Sequence, residues 1–448
     1  MLPVLFLPLR RNPNGLFPYL FASSWEYLLE FHKAIGHIEV LLLVLHGVTA
    51  TLMFYLNMHN SWEKTWAIFK NWKMMSGLIS LGCFVLLWVT AFTPLRKKYK
   101  YEIFHIGHVI FTVGGFFLMF QHITYPDLAR NIMIVPAALW GLDLLWRFYT
   151  SFIAGHCRIV SKQVLPNTKG TVIELDASLP SLFSFEPGQW GYICIPAVNW
   201  VEFHPFALLA SDITEPEVRF EHEQDSDLKK SSVEDEAPEG TYRRRKCVKV
   251  FVKTLGDWTR NLEKKPWSRL RKSVAFIQGP IGRIPTDFNH YPYIVLVGAG
   301  AGVAPVIGHA QRLYLENRRR EEKNPMAKLT GGPRMVWVIL VCTFRDILVP
   351  FNDDLLTLSN ESSLFTIGCY ETRRLAKSRI VSEEERAMIS VNVMIGRPDL
   401  KDLFLRIKDE ANKNKVAVVA AGPEPFEKTV VSASQHAGFT LHVEAGSW

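Results

Sequence analysis

Two stretches decide the fold of this chain: Phe31–His46, FHKAIGHIEVLLLVLH, and Tyr101–His122, YEIFHIGHVIFTVGGFFLMFQH. Each is a long apolar run carrying histidines at a repeated interval. His32 and His46 stand 14 residues apart, and so do His108 and His122. On an α-helix 14 residues bring a side chain back to within about 40° of its starting direction and carry it roughly 21 Å along the axis. Each pair therefore lies on one face of its helix. An ionisable group inside a lipid-spanning helix is costly and marks a working site by default. The spacing suits two haems stacked across one bilayer, with His32 and His108 bracketing one and His46 and His122 the other. Two imidazoles on one iron leave no open position, which favours electron transfer over oxygen binding at the metal. His37 lies about 140° from His32 and reads as an interhelical bonding group, while His105, about 60° from His108, could take its place in another register.

Outward from these stretches, four segments approach the roughly 20 apolar residues that a bilayer requires: about 31–56, 74–95, 102–124 and 131–152. Arg96, Lys97, Lys98 and Lys100 follow the second, and Arg10 and Arg11 precede the first. The positive-inside rule puts both clusters in the cytosol, and four crossings return the C-terminal half to the same side. Lys64, Lys70 and Lys73, between the first two spans, oppose that assignment without outnumbering it. The chain is thus read as integral to the plasma membrane or an internal membrane. Its net charge of +8 over 448 residues needs no nucleic acid partner, because much of it flanks apolar spans. The six cysteines are scattered and none forms a CxxC, so neither a disulfide framework nor a zinc site is expected, and the soluble half reads as cytosolic.

The paired-histidine helices resemble the haem-binding helices of the ferric reductase and NADPH oxidase superfamily. That resemblance implies six core spans. This chain shows four, and its opening MLPVLFLPLRRNP reads as the tail of an earlier span, so the haem domain (1–154) is expected to be N-terminally shortened.

Residues 155–290 alternate short β-rich stretches with turns (GTVIELDA, QWGYICIP, VKVFVKTLG), a pattern that predicts a small antiparallel β-barrel. FEPGQW (Phe185–Trp190), HPFAL (His204–Leu208) and GDWT (Gly256–Thr259) occur in the order found in the flavin-binding barrel of ferredoxin-reductase-like enzymes. The resemblance implies that His204, Pro205 and Phe206 line the isoalloxazine of FAD. It puts Lys253 and Thr259 at the pyrophosphate, with Gly256, Asp257 and Trp258 beside them. Ala207 stands where the family has Thr or Ser, which removes a hydroxyl from the flavin edge. Residues 221–246 are polar with almost no large apolar side chains. They are expected to form a mobile insertion.

Residues 291–448 alternate apolar strands (YIVLVGAG, MVWVILVCTF, SVNVMIG, VAVVAAGP) with helices, which predicts a parallel sheet. VGAGAGVAP (Val297–Pro305) follows the first strand and opens a helix. Its glycines Gly298, Gly300 and Gly302, with Pro305, make an anion-accepting strand–turn–helix. GRPDL (Gly396–Leu400) follows what reads as the third strand and AAGPEPF (Ala420–Phe426) the last. Both therefore lie at strand ends where open α/β sheets bind ligands. By resemblance this is the nicotinamide domain. Arg397, flanked by Gly396 and Pro398 and aided by Arg345, would take the 2′-phosphate of NADPH. Gly422 and Pro423 would border the nicotinamide, beside which Ala421 replaces a family cysteine. Trp448 would stack on the flavin. The implied path runs from NADPH to FAD, to two b-type haems, and to an acceptor: a ferric or cupric chelate, or oxygen in an NADPH oxidase. The short loops 57–73 and 125–130, and the lack of an EF-hand before the spans, tilt the reading to the metal chelate. A third reading is a catalytically weak relative that binds haem as a structural or partner subunit, kept open by Ala207 and Ala421.

Overall fold

The computed structural model describes residues 25–92, 101–123, 134–135, 138, 141–142, 145, 148–165, 167–176, 185–200, 202–216, 242–281, 290–323, 332–361, 363–372 and 389–444. The chain divides into two compact units, Met1–Tyr149 and Thr150–Trp448.

The first unit is helical. α1 (Trp25–Asn57), α3 (Trp72–Ala91) and α4 (Tyr101–His122) are long apolar helices, and a short α2 (Trp62–Phe69) joins the first two. Phe31–Asn57 and Trp72–Ala91 are long and apolar enough to cross a membrane, and α4 contains a shorter apolar stretch, Ile106–His122. Leu42, Leu45 and Leu56 of α1 are 59%, 58% and 65% exposed, a surface that water would penalise and lipid accepts. α3 and α4 approach closely: the Ser80 hydroxyl donates to the Gly115 carbonyl at 2.8 Å, and Phe84 meets Phe116 edge-on at 5.4 Å between ring centres. Small residues at such a seam let membrane helices close on one another. The expected fourth span lies largely outside the described residues, and Tyr149–Ala154 at its end forms a π-helix. The basic clusters at 10–11 and 96–100 also lie outside them.

The second unit begins with a seven-stranded antiparallel sheet: β1 (His156–Leu165), β2 (Gly170–Asp176), β3 (Trp190–Cys194), β4 (His204–Ala207), β5 (Leu209–Pro216), β6 (Tyr242–Lys253) and β7 (Val274–Ile281). Their order is β4-β3-β7-β1-β2-β6-β5. β4 and β5 are the two edges, yet Leu208 alone separates them in sequence. The sheet must therefore curl until its edges meet. Inward-facing Ile159, Ile173, Ile193, Leu208, Val250 and Ile277 fill the interior. One boundary needs correcting: 242–246, assigned to the polar insertion, belongs to β6, with Tyr242 to Lys246 paired against Pro216 to Asp212. Backbone pairing to an edge strand needs no apolar side chains, so composition misplaced the limit. The remainder of the insertion lies outside the described residues.

A six-stranded sheet follows, ordered β11-β10-β9-β8-β12-β13, with every pairing parallel. Its strands are β8 (Tyr293–Ala299), β9 (Met335–Cys342), β10 (Phe365–Glu371), β11 (Val393–Ile395), β12 (Val416–Ala421) and β13 (Thr440–Val443). Two separate cores cover its faces. One is built with α6 (Val303–Lys323) and α7 (Asn352–Asn360), the other with α8 (Leu400–Glu410) and α9 (Glu424–Ala437). β10 and β13 escape the sequence reading. β10 has Gly368 and Cys369 at its centre and mixes buried with open positions without a regular period, so it lacks the continuous apolar run of its neighbours. GRPDL consequently follows the fourth strand of this sheet, not the third.

Polar contacts tie the two sheets together. Gln311 bonds both ways with the Ala210 backbone (3.0 Å each) and donates to Asp354 at 2.7 Å. Lys249 reaches Asp354 and the Pro350 carbonyl. Burial pushes the Asp354 carboxyl up, while Lys249 and Gln311 pull against that shift. Burial also pushes the thiols of Cys157, Cys342 and Cys369 up to about 12, and that of Cys194 to about 11. Thiolate is the reactive form. A brief N-ethylmaleimide pulse at neutral pH should therefore leave these four unmodified in the folded chain and label them after unfolding, as read by peptide mass spectrometry. Rapid native labelling of any of the four would contradict the packing.

Candidate functional site

α1 and α4 bring His32 and His108 together with ring centres 6.2 Å apart and ring planes at 63°. Two imidazoles on opposite sides of one metal, each nitrogen about 2 Å from it, hold their ring centres roughly 6 Å apart. The pair fits one bis-histidine haem iron. His122 is prepared differently. Its Nδ1 lies 2.8 Å from the Lys73 carbonyl. Its ring lies over Gly77, where a Cβ would come within 2.5 Å of that nitrogen. An Nδ1–H donated to a carbonyl leaves the Nε2 lone pair outward, which is the tautomer a metal ligand needs. His46 lies on the exposed surface of α1. The expected structural role of His37 agrees with its geometry: the Trp88 indole donates to His37 Nδ1 at 2.6 Å, linking α1 to α3.

In the curled sheet, His204 and Phe206 share one face of β4 and both pack on Trp258, with ring centres 4.6 and 5.8 Å away. Trp258 is buried, so it backs these two residues from the core side. Glu202 Oε2 lies 3.1 Å from His204 Nε2. Ala207 pairs with Trp190, and Pro205 with Tyr192. α5 (Asp257–Lys264) starts at Gly256. Thr259 Oγ accepts from the backbone N–H groups of Leu255 and Gly256 and donates to the Gly256 carbonyl, each at 2.9 Å. Its hydroxyl therefore closes the turn, and the helix start is what the loop offers to an anion. Lys253 ends β6 with an exposed side chain.

In the parallel sheet the strand order reverses between β8 and β12, and open α/β sheets bind ligands at the C-terminal ends beside such a switch. The two glycine turns meet there. A Cβ on Gly302 would collide with the Ala421 carbonyl and lie 2.8 Å from the Gly422 nitrogen, and one on Gly422 would lie 3.1 Å from the Ala299 Cβ. Pro305 falls in the first turn of α6 and Pro423 caps α9. Gly396 donates its N–H to the Glu371 carbonyl at 2.8 Å, which seats exposed Arg397 and half-buried Pro398 beside the end of β10. Arg345 is ion-paired with Glu371, its Nη2 2.7 Å from Glu371 Oε2. Trp448 lies outside the described residues.

Two family models match this architecture: the ferric reductase like transmembrane component over residues 1–119, and the ferric reductase NAD binding domain over 291–435. The chain belongs to the ferric reductase and NADPH oxidase superfamily. Superfamily relatives include ferric reduction oxidase 5 of Arabidopsis thaliana, 24% identical over 347 residues, which are 76% of this chain and 41% of the relative. They also include a superoxide-generating NADPH oxidase heavy chain of Dictyostelium discoideum, 22% identical over 84% of this chain and 52% of that protein. The chain thus spans about half or less of the curated relatives it matches. Among solved structures, the FAD/NAD binding domain of nitric oxide dioxygenase from Vibrio cholerae aligns with 64% of this chain and 97% of that one, at 15% identity and a TM-score of 0.41. The matched models are those of a transmembrane component and of a nicotinamide-binding domain.

Sequence reasoning missed a joint beside this superfamily site. His309 on α6 is fully buried. Its Nε2 is hydrogen-bonded to the Glu444 carboxylate. Its ring fills the space where a Cβ on Gly188 would sit, 2.8 Å from His309 Cε1. The single signal was a histidine in an otherwise apolar helix start; its partners lie far away in sequence.

Proposed function

We propose that this chain conducts electrons across a membrane from NADPH to a ferric or cupric chelate on the far side. The observation that carries the proposal is the His32–His108 pair, whose 6.2 Å ring separation fits one iron between α1 and α4. In this reading His32 and His108 hold one b-type haem, and His46 and His122 the other. His204, Pro205 and Phe206 line the FAD ring, with Ala207 at its edge. Lys253 and the Gly256–Thr259 turn face its pyrophosphate, and Trp448 covers it. NADPH lies across the turns at Gly298–Gly302 and Ala421–Pro423, with its 2′-phosphate toward Arg397. The cofactors supply hydride and single-electron chemistry. The protein supplies order and distance, and the NADPH side is cytosolic by the charge argument.

A second reading, superoxide formation from oxygen, is favoured by the likeness to the Dictyostelium oxidase over 84% of this chain. A third, a haem-binding partner protein with weak chemistry, rests on Ala207 and Ala421, which lack the hydroxyl and thiol expected there. Membranes containing the full chain separate the three. NADPH-driven reduction of a ferric chelate, insensitive to superoxide dismutase, is the expected result. Dismutase-sensitive reduction of added cytochrome c without chelate reduction would favour the oxidase. Failure of NADPH to bleach the flavin would favour the partner protein.

A further inference from the structure

Arg345 and Glu371 form an ion pair at the C-terminal edge of the parallel sheet. The guanidinium donates through Nη2 at 2.7 Å and Nε at 2.9 Å to Glu371 Oε2. Glu371 Oε1 accepts the Arg345 backbone N–H at 3.3 Å. The carboxylate is 6% exposed and the arginine side chain 18%. The pair is held from both sides. Thr372 donates its N–H (2.8 Å) and hydroxyl (3.1 Å) to the Cys342 carbonyl, locking the end of β10 to β9. Asp346, which follows Arg345, turns away to accept from Asn167 and Thr168 in the turn between β1 and β2. Glu371 pairs with Ile395 in the β10–β11 ladder, so Arg397 follows two residues after that partner.

A 2′-phosphate arriving beside Arg397 therefore meets a guanidinium already neutralised and a carboxylate of its own sign. A coenzyme without that phosphate meets no such opposition, and acids at strand ends accept ribose hydroxyls. We propose that Glu371 determines coenzyme specificity by withholding Arg345 from the 2′-phosphate, which lowers discrimination in favour of NADPH over NADH. The proposal rests on the nucleotide site assigned above.

The test is calorimetric titration of the full chain in nanodiscs with 2′-phospho-AMP and with AMP, which needs no turnover. Glu371→Gln should tighten 2′-phospho-AMP about tenfold, the scale of one freed charge-assisted contact, and leave AMP within about twofold. The double exchange Arg345→Gln, Glu371→Gln is neutral at both positions, as the pair is, and should match wild type for both ligands; Arg397→Gln should weaken 2′-phospho-AMP selectively. Unchanged or weaker 2′-phospho-AMP binding in Glu371→Gln, with AMP still bound, overturns the proposal alone. So does a double exchange that loses as much as Arg397→Gln, since Arg345 would then reach the phosphate in wild type. Absence of AMP binding in every chain, wild type included, overturns the nucleotide site and the proposal together.

Discussion

Membranes containing His108→Ala should show half the dithionite-minus-air haem signal per chain of wild type, and NADPH-driven chelate reduction lowered at least about 100-fold. His32 and His108 face each other at a separation that fits one iron, so on the proposed assignment His108→Ala would remove one of the two imidazoles that hold it. The loss should not spread to the second haem, because His122 is oriented independently by the Lys73 carbonyl. His37→Phe is the contrasting variant. It removes the bond from Trp88, costing about 1 kcal/mol of helix packing, and should keep both haems. A full signal in His108→Ala would mean that another residue, with His105 first in line, ligates the iron, and the paired-histidine assignment would fail. Equal loss in both variants would mean that the signal follows helix packing and not ligation.

Gly302→Ala should abolish nucleotide binding and destabilise the α/β half by more than the about 1–3 kcal/mol typical of overpacking. The added methyl would meet main-chain atoms of Ala421 and Gly422, which cannot rotate away as a side chain can. The turn after β8 would have to part from the turn after β12, and that closure builds the crevice. Gly300→Ala makes the comparison. Gly300 has φ +55° but open space where a Cβ would stand, so its cost is conformational, about 1 kcal/mol. Thermal melts and AMP titration of the two variants should differ sharply. Similar melts and intact AMP binding in both would show that the two turns do not pack as described.

The helices of the membrane unit, the histidine interval, the glycine turn opening α6 and four strands of the parallel sheet were legible in the sequence. Each rests on a local period or a local backbone demand. Fourteen residues on a helix fix a direction, and continuous apolar runs fix a strand buried on both faces. Those properties hold wherever the segment ends up.

The tertiary structure alone decided the rest, because it depends on partners distant in the chain. β10 carries no clean period and is a strand because β9 and β11 flank it. The basic start of β6 is a strand because β5 pairs with it. Arg345 reads as an isolated cation in the sequence, and only the sheet register sets Glu371, 26 residues on, against its guanidinium. His309 finds Glu444 across 135 residues. A residue's chemical type is local and survives in any fold. Whether its charge or hydroxyl is available depends on which groups long-range packing brings within about 3 Å of it.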